Sequence, residues 1–249
     1  MKDRALLESI KYYLGVGKIH DSGKNLIQYR IQTFYELAVI IKHFDKYPLI
    51  TKKRADYELF KEAYELIRRQ EHLNNEGILK IVSLKASLNL GLSKQLKAEF
   101  PDIIPASRCT DFLVSIPNDY WLSGFASAEC CFMVGIAKSA LSSTGYKVYL
   151  AFIITQHIRD ELLMKCLINY LDCGKLRRKR DVYEFQVFKF SDVTEKVLAF
   201  FEKYPILGEK AKDFYDFSIV AGLMKKKEHL TIEGVAKIQK IKEGMNRGR

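Results

Sequence analysis

Apolar residues recur at helical spacing from the start of the chain: Leu6, Leu7, Ile10 and Leu14 fall on one face of a helix over residues 4–14. Gly15 and Gly17 interrupt it, turn-forming residues fill 21–25, and residues 28–32 alternate as a strand does. Helical spacing returns over 34–44, stops near Tyr47 and Pro48, and reappears over 55–69 and 78–88. Farther along, the pattern predicts a helix over 118–129, a strand over 131–138, a turn at 142–145 and a strand over 147–156. A helix over 160–170, a hairpin over 175–189, a helix over 192–203 and two more helices complete the series.

The chain repeats itself. Phe44, Tyr47, Pro48 and Leu49 return as Phe201, Tyr204, Pro205 and Ile206, and Glu71, His72, Leu73 and Gly77 return as Glu228, His229, Leu230 and Gly234, each 157 residues later. The same offset carries Lys53 to Lys210, Asp56 to Asp213, Asn89 to Asn246 and Gly91 to Gly248. Leu6 and Leu7 instead meet Leu162 and Leu163 at an offset of 156, so one residue is inserted or deleted between the blocks. The second copy is preceded by a helix and two strands, the first only by Met1 and Lys2. A complete half therefore reads αββαββα with terminal helices, and the first copy lacks its head. The expected organisation is a truncated first half over 1–91, a linker over 92–117 holding Pro101, Pro105 and Pro117, and a complete second half over 118–249.

Charge points to a partner. Lys and Arg number 41 against 30 Asp and Glu, giving +11, and a surplus of that size favours a polyanion, most often nucleic acid. Its densest run, Lys175, Arg177, Arg178, Lys179 and Arg180, falls on the second-copy hairpin, where Tyr183 and Gln186 are expected to extend a polar, groove-suited face. The five cysteines form no metal-spaced set and read as reduced thiols. Apolar runs fall far short of the ~18 residues of a membrane helix, so a soluble, intracellular protein with no membrane partner is expected. His72 and His229 read as structural parts of the repeated EHL.

The string WLSGFASAE at residues 121–129 resembles the LAGLIDADG motif of homing endonucleases. KHFDKYPLITKK, EFPDI, ITQHIRD, FKFSD and KKKEHLT are similar to segments of the single-chain, two-motif organellar enzymes of the I-OnuI group. The resemblance implies an α+β fold of two pseudo-symmetric half-domains. It also implies that small residues at Ser123, Gly124 and Ala128 let two motif helices pack closely, bringing an acidic residue from each to a shared metal site. Glu129 would then be a Mg²⁺ ligand, Gln156 would order water, and Lys189 would lie beside the scissile phosphate. Strands carrying Lys138, Lys147 and Lys175 would lie in the DNA major groove.

Departures from the pattern shape the functional expectation. One motif helix is present, Thr33 stands at the position matching Lys189, and Cys130 replaces the motif's final glycine, which is expected to strain the turn. The favoured reading is a nucleic-acid-binding, non-cleaving derivative, needing no cofactor and acting on RNA or DNA as a maturase-like protein or within a mitochondrial ribonucleoprotein. The alternatives are a Mg²⁺-dependent double-strand DNA endonuclease whose first motif is supplied elsewhere, and a protein-interaction remnant. On every reading a protein or RNA partner, a second copy of this chain, or a rearranged segment is expected to cover the helix face that would meet a twin.

Overall fold

The computed structural model describes residues 3–23, 26–88, 90–109 and 112–246; Lys24, Asn25, Asn89 and Gly248, used above as turn or repeat positions, lie outside them. Two compact units divide the chain, residues 31–114 and residues 1–30 with 115–249. The larger unit begins with α1 (Arg4–Leu14) and a hairpin of β1 (Lys18–Asp21) and β2 (Ile27–Arg30). The smaller unit holds α2 (Phe34–Lys46), α3 (Lys53–Arg68), a 3-10 turn at Glu71–Leu73, α4 (Asn75–Ser87) and α5 (Lys94–Glu99). The chain then returns to the larger unit through α6 (Asp119–Glu129), β3 (Cys130–Lys138), β4 (Tyr146–His157), α7 (Glu161–Leu171), β5 (Lys175–Lys179) and β6 (Val182–Val187). A helix in three parts follows, α8 (Phe190–Asp192), π-helical Val193–Leu198 and α9 (Ala199–Lys203), and then α10 (Lys210–Lys225), a 3-10 turn at Glu228–Leu230 and α11 (Ile232–Glu243).

The repeat seen in the sequence recurs in the backbone. α1 and α7 are each 11 residues long and end in left-handed residues, Gly15 (φ 71°) and Asp172 (φ 49°). α3 and α10 are each 16 residues, and each leads through a left-handed residue at φ 61°, Gln70 or Lys227, into its EHL turn. A Cβ on Gly77 would meet the Glu71 carbonyl oxygen at 1.9 Å, and one on Gly234 the Glu228 oxygen at 1.8 Å. The one-residue change of offset also has a place. α2 spans Phe34–Lys46 without interruption, whereas its counterpart from Phe190 to Lys203 absorbs one residue more as the π-helical turn.

In the larger unit, β3-β4-β6-β5 form one antiparallel sheet. Alternation sends Phe132, Val134, Leu150, Phe152, Ile154, Phe185 and Val187 to the helix-covered face, where all are buried. Phe132 sits at the centre, its ring within 5.9 Å of Phe152, Phe201, Phe214 and Phe217. In the smaller unit Ile41, Tyr57 and Tyr64 form a core. The Tyr57 hydroxyl donates to Ile41 O (3.0 Å) and to Asp45 Oδ1 (2.7 Å); burial and the Asp45 carboxylate push that phenol well above its usual range.

The segment expected as a linker is bound down along α4. Ser83 and Ser87 hydroxyls donate to the carbonyls of Ile104 and Ala106, both at 2.6 Å, and Arg108 reaches Asp56 at 2.7 Å. The expected strain at Cys130 is absent: the residue has φ −85° and ψ 161°, ordinary extended backbone that needs no glycine.

Candidate functional site

α6 begins where the Asn118 side chain accepts from the Trp121 amide at 2.9 Å. Asp119, in its first turn, accepts from the Tyr170 hydroxyl at 2.6 Å, and donors from Tyr170 and Tyr204 hold this carboxyl below the usual range. Burial, reinforced by Asp119, pushes the Tyr170 phenol up to about 12. Leu122 and Ala126 are fully buried against the sheet. The small residues divide between two sides of the helix. Ser123 is buried and turned inward, its hydroxyl donating to Pro205 O at 2.6 Å, so it serves its own half rather than a twin helix. Gly124 is exposed, and an added Cβ there would meet nothing within 4 Å.

Gly124, Ser127 and Ala128 line a cavity of about 670 Å³ whose other walls come from Asp3, Leu6 and Ile10 of α1 and from Leu207, Glu209, Lys210, Asp213 and Asn246. Asp3 Oδ1 accepts from the Glu209 amide at 2.8 Å. Asp213, itself buried, accepts from the Asn246 amide at 2.9 Å, and the Asn246 side chain donates to Phe132 O at 3.1 Å, tying the end of the described chain to the root of β3. Lys210 carries its charge close to Cys130 and Cys131, where it opposes the upward push of burial on both thiols.

Glu129, the last residue of α6, is exposed. Its oxygens are the hard donors a Mg²⁺ ion takes, but such an ion takes about six, and no group of three His, Cys, Asp or Glu gathers around it among the described residues. This chain thus presents one carboxylate of a site that needs more, and no reaction step can be built on the ion from these residues alone. Gln156 comes to the same end of the sheet: it lies two residues beyond Ile154, the register partner of Cys130, and faces Tyr183 across β6. Lys189 does not. It follows β6 by two residues, is exposed, and lies 3.6 Å from Asp192. The cation that lines the cavity beside the motif helix is Lys210, which the sequence reading noted only as a repeat position. At the position matching Lys189, Thr33 caps α2, its hydroxyl accepting from the Glu36 amide at 3.3 Å.

Strand alternation sorts the expected nucleic-acid contacts. Lys147, Lys175, Arg177 and Lys179 are exposed on the face of the sheet opposite the helices, with Arg177 across from Glu184; Gln186, on the same face across from Lys175, is buried and so does not extend an accessible polar face as expected. There Gln186 Nε2 donates to Glu184 Oε2 at 2.8 Å and Lys179 approaches Glu184 at 3.5 Å. Arg178 and Tyr183 form a register pair on the other face, where Tyr183 packs on the core. Its hydroxyl, after Lys165, helps hold Glu161 below the usual carboxylate range. Tyr183 and Gln186 therefore belong to opposite faces, because an odd separation on a strand always divides them. Lys138 is exposed at the end of β3, across from Tyr146, and Arg180 occupies the β5–β6 turn at φ 53°.

A family model described as LAGLIDADG endonuclease matches residues 1–64 and 122–221. In sequence, the chain is 38% identical over 245 residues to a Neurospora crassa protein called "Probable intron-encoded endonuclease 3", covering 95% of this chain and 45% of that protein; it spans about half the length of the curated relatives it matches. In structure, it is similar to the LAGLIDADG meganuclease I-AabMI bound to uncleaved DNA (70% identity, TM-score 0.93, 99% of this chain and 87% of that one). It is also similar to the homing endonuclease I-SmaMI bound to cleaved DNA (43% identity, TM-score 0.97, 99% and 84%). Matching in motif, repeat and fold, the chain belongs to the LAGLIDADG endonuclease family.

Proposed function

We propose that this chain is the DNA-reading and half-catalytic part of a site-specific double-strand DNA endonuclease. The observation that carries the reading is the open side of α6: Gly124 and Ala128 face a cavity with room for close approach, and the exposed Glu129 carboxylate ends the same helix. A second motif helix, not among these residues, would seat there and bring the second carboxylate. Mg²⁺, if held with the help of Glu129, would supply an activated water and charge neutralisation at the phosphate. This chain's own residues then have distinct tasks. Glu129 offers oxygen donors, Gln156 can hold a water by hydrogen bond at the same end of the sheet, and Lys210 holds positive charge where the scissile phosphate would gather negative charge. The face bearing Lys147, Lys175, Arg177 and Lys179 grips the duplex through phosphates and base edges. The DNA-bound state of the similar structures supports duplex DNA over RNA, and the intron-encoded relatives support a mitochondrial setting.

The test is Mg²⁺-dependent cleavage of the host locus, with the chain alone and with a motif-bearing partner segment supplied, each compared with Glu129→Gln. Cutting that needs the partner and disappears in Glu129→Gln while DNA binding persists is the expected result. Binding without cutting under both conditions would overturn the proposal and leave the non-cleaving, maturase-like reading.

A further inference from the structure

One part of the open sheet face is apolar. Across the register, Met133 faces Ala151 and Gly135 faces Tyr149, with Ile153 two residues beyond Ala151, on the side away from the helices; Cys131, the partner of Ile153, instead reaches the Asn246 side chain at 3.7 Å. Phe188, one residue past β6, is 42% exposed, and its ring lies 6.3 Å from that of Tyr149. The Tyr149 ring lies over Gly135, where a Cβ would meet it at 2.1 Å. Ala151 is fully buried, while Met133, Tyr149 and Ile153 are half-buried, and none of these side chains joins the core on the other face. A solvent-facing side of an antiparallel sheet is ordinarily polar. This patch is instead flanked by cations, Lys147 at the hairpin end and Lys175 and Arg177 on β5.

We propose that this apolar strip reads thymine methyl groups in the major groove, making Met133, Ile153 and Tyr149 specificity-determining residues. The inference rests on the DNA-binding reading above. Charge complementarity selects the occupant: an apolar strip between rows of Lys and Arg suits a surface whose edges are phosphates and whose floor carries methyls. In the major groove the C5-methyl of thymine is the one apolar group a base pair displays. The strip spans three register rows, about 13 Å along the strands at roughly 3.3 Å per residue, which matches about four base-pair steps at 3.4 Å. The exposed cations beside it, Lys175 and Arg177, would meet phosphates and the neighbouring base edges.

Sites selected by the wild-type chain from a randomised duplex library should contain a stretch of about four T·A or A·T pairs beside a mixed-sequence stretch. The selected duplex is then made with deoxyuridine in place of thymidine, which removes only the methyl, and binding is measured at fixed salt. Substitution within the stretch should weaken binding about fourfold for each methyl buried, and substitution outside it should leave binding within twofold. Ile153→Thr and Met133→Gln, checked for native thermal unfolding, should lose the preference for thymidine over deoxyuridine. Tight binding indifferent to deoxyuridine throughout, or discrimination retained in both variants, would overturn this assignment and leave DNA binding intact. Failure to bind any duplex would overturn the assignment together with the reading beneath it.

Discussion

Gly124→Ala separates what the motif helix needs for its own fold from what it needs for a partner. Gly124 is the sixth of the eleven residues of α6, and a methyl added there meets no atom within 4 Å. Relative to alanine, glycine inside a helix costs about 0.8–1.0 kcal/mol, because it loses more backbone freedom on folding. With no clash to offset that gain, the chain by itself should be stabilised by about 0.5–1 kcal/mol. For a unit of this size that raises the melting temperature by roughly 2–4 °C. The same methyl would stand between two helices packed backbone to backbone, where overpacking costs about 1–3 kcal/mol. Thermal and urea unfolding of the chain, followed by cleavage in the presence of a partner motif helix, measures both halves. A stabilised chain with impaired complementation is expected. If Gly124→Ala destabilises the chain by itself by more than about 1 kcal/mol, that face is already covered from within, and the reasoning about a seat for a second motif helix fails.

Gly77→Ala and Gly234→Ala should each cost about 2–3 kcal/mol, because a Cβ at either would lie under 2 Å from a backbone carbonyl oxygen; equal behaviour to Gly124→Ala in urea melts would contradict this. Arg180→Gly relieves a left-handed backbone at φ 53° and should stabilise the β5–β6 hairpin by a few tenths to 1 kcal/mol. If Arg180 meets a phosphate, the same change also lowers the slope of log affinity against log salt by about one. Burial holds the His43 and His229 imidazoles below the ordinary value of 6.5, so on acidification the unfolded chain takes up protons before the folded one does. Their contribution to stability is therefore full above about pH 7 and falls away as pH drops through 6.5 toward the folded values. Urea midpoints at pH 7.5 and 5.5 should show this fall, and His229→Gln should flatten it; an unchanged slope would rule out His229 as a source.

The repeat made the fold legible because equal backbone geometry needs equal punctuation. Tyr-Pro pairs end helices, EHL turns demand a glycine seven residues beyond the left-handed position, and these survive in both copies at Gly77 and Gly234. Even the one-residue slip between offsets 156 and 157 carried structural information, since an extra residue inside a helix has to bulge, and it does so at Val193–Leu198. The short strand β1 (Lys18–Asp21) was harder to read, because four residues with no alternation give periodicity little to act on. The bound-down course of residues 104–108 was invisible for a different reason: it is fixed by backbone carbonyls accepting from Ser83 and Ser87, and such contacts leave no periodic trace.

The site divides along the same line. Glu129 and the basic hairpin could be found from the string in which they occur, since local sequence places a residue on an element. Which side of an element it serves depends on register and on what packs there. Tyr183 and Gln186 stand three apart and so take opposite faces of β6, a consequence already contained in the period of two. Lys210 is a harder case. It is 81 positions beyond Glu129 in sequence, and only the packing that closes a cavity from α1, α6 and α10 brings its charge beside the motif helix. The trace it leaves in the sequence is the repeat, in which Lys53 and Lys210 are paired at offset 157. On the proposed reading the +11 surplus therefore does two jobs in this chain. On β5 it faces outward in a row, and at Lys210 it lines the cavity beside the motif helix, close to Cys131. Reversing the charge at Lys210 should leave the first job intact and abolish only the second.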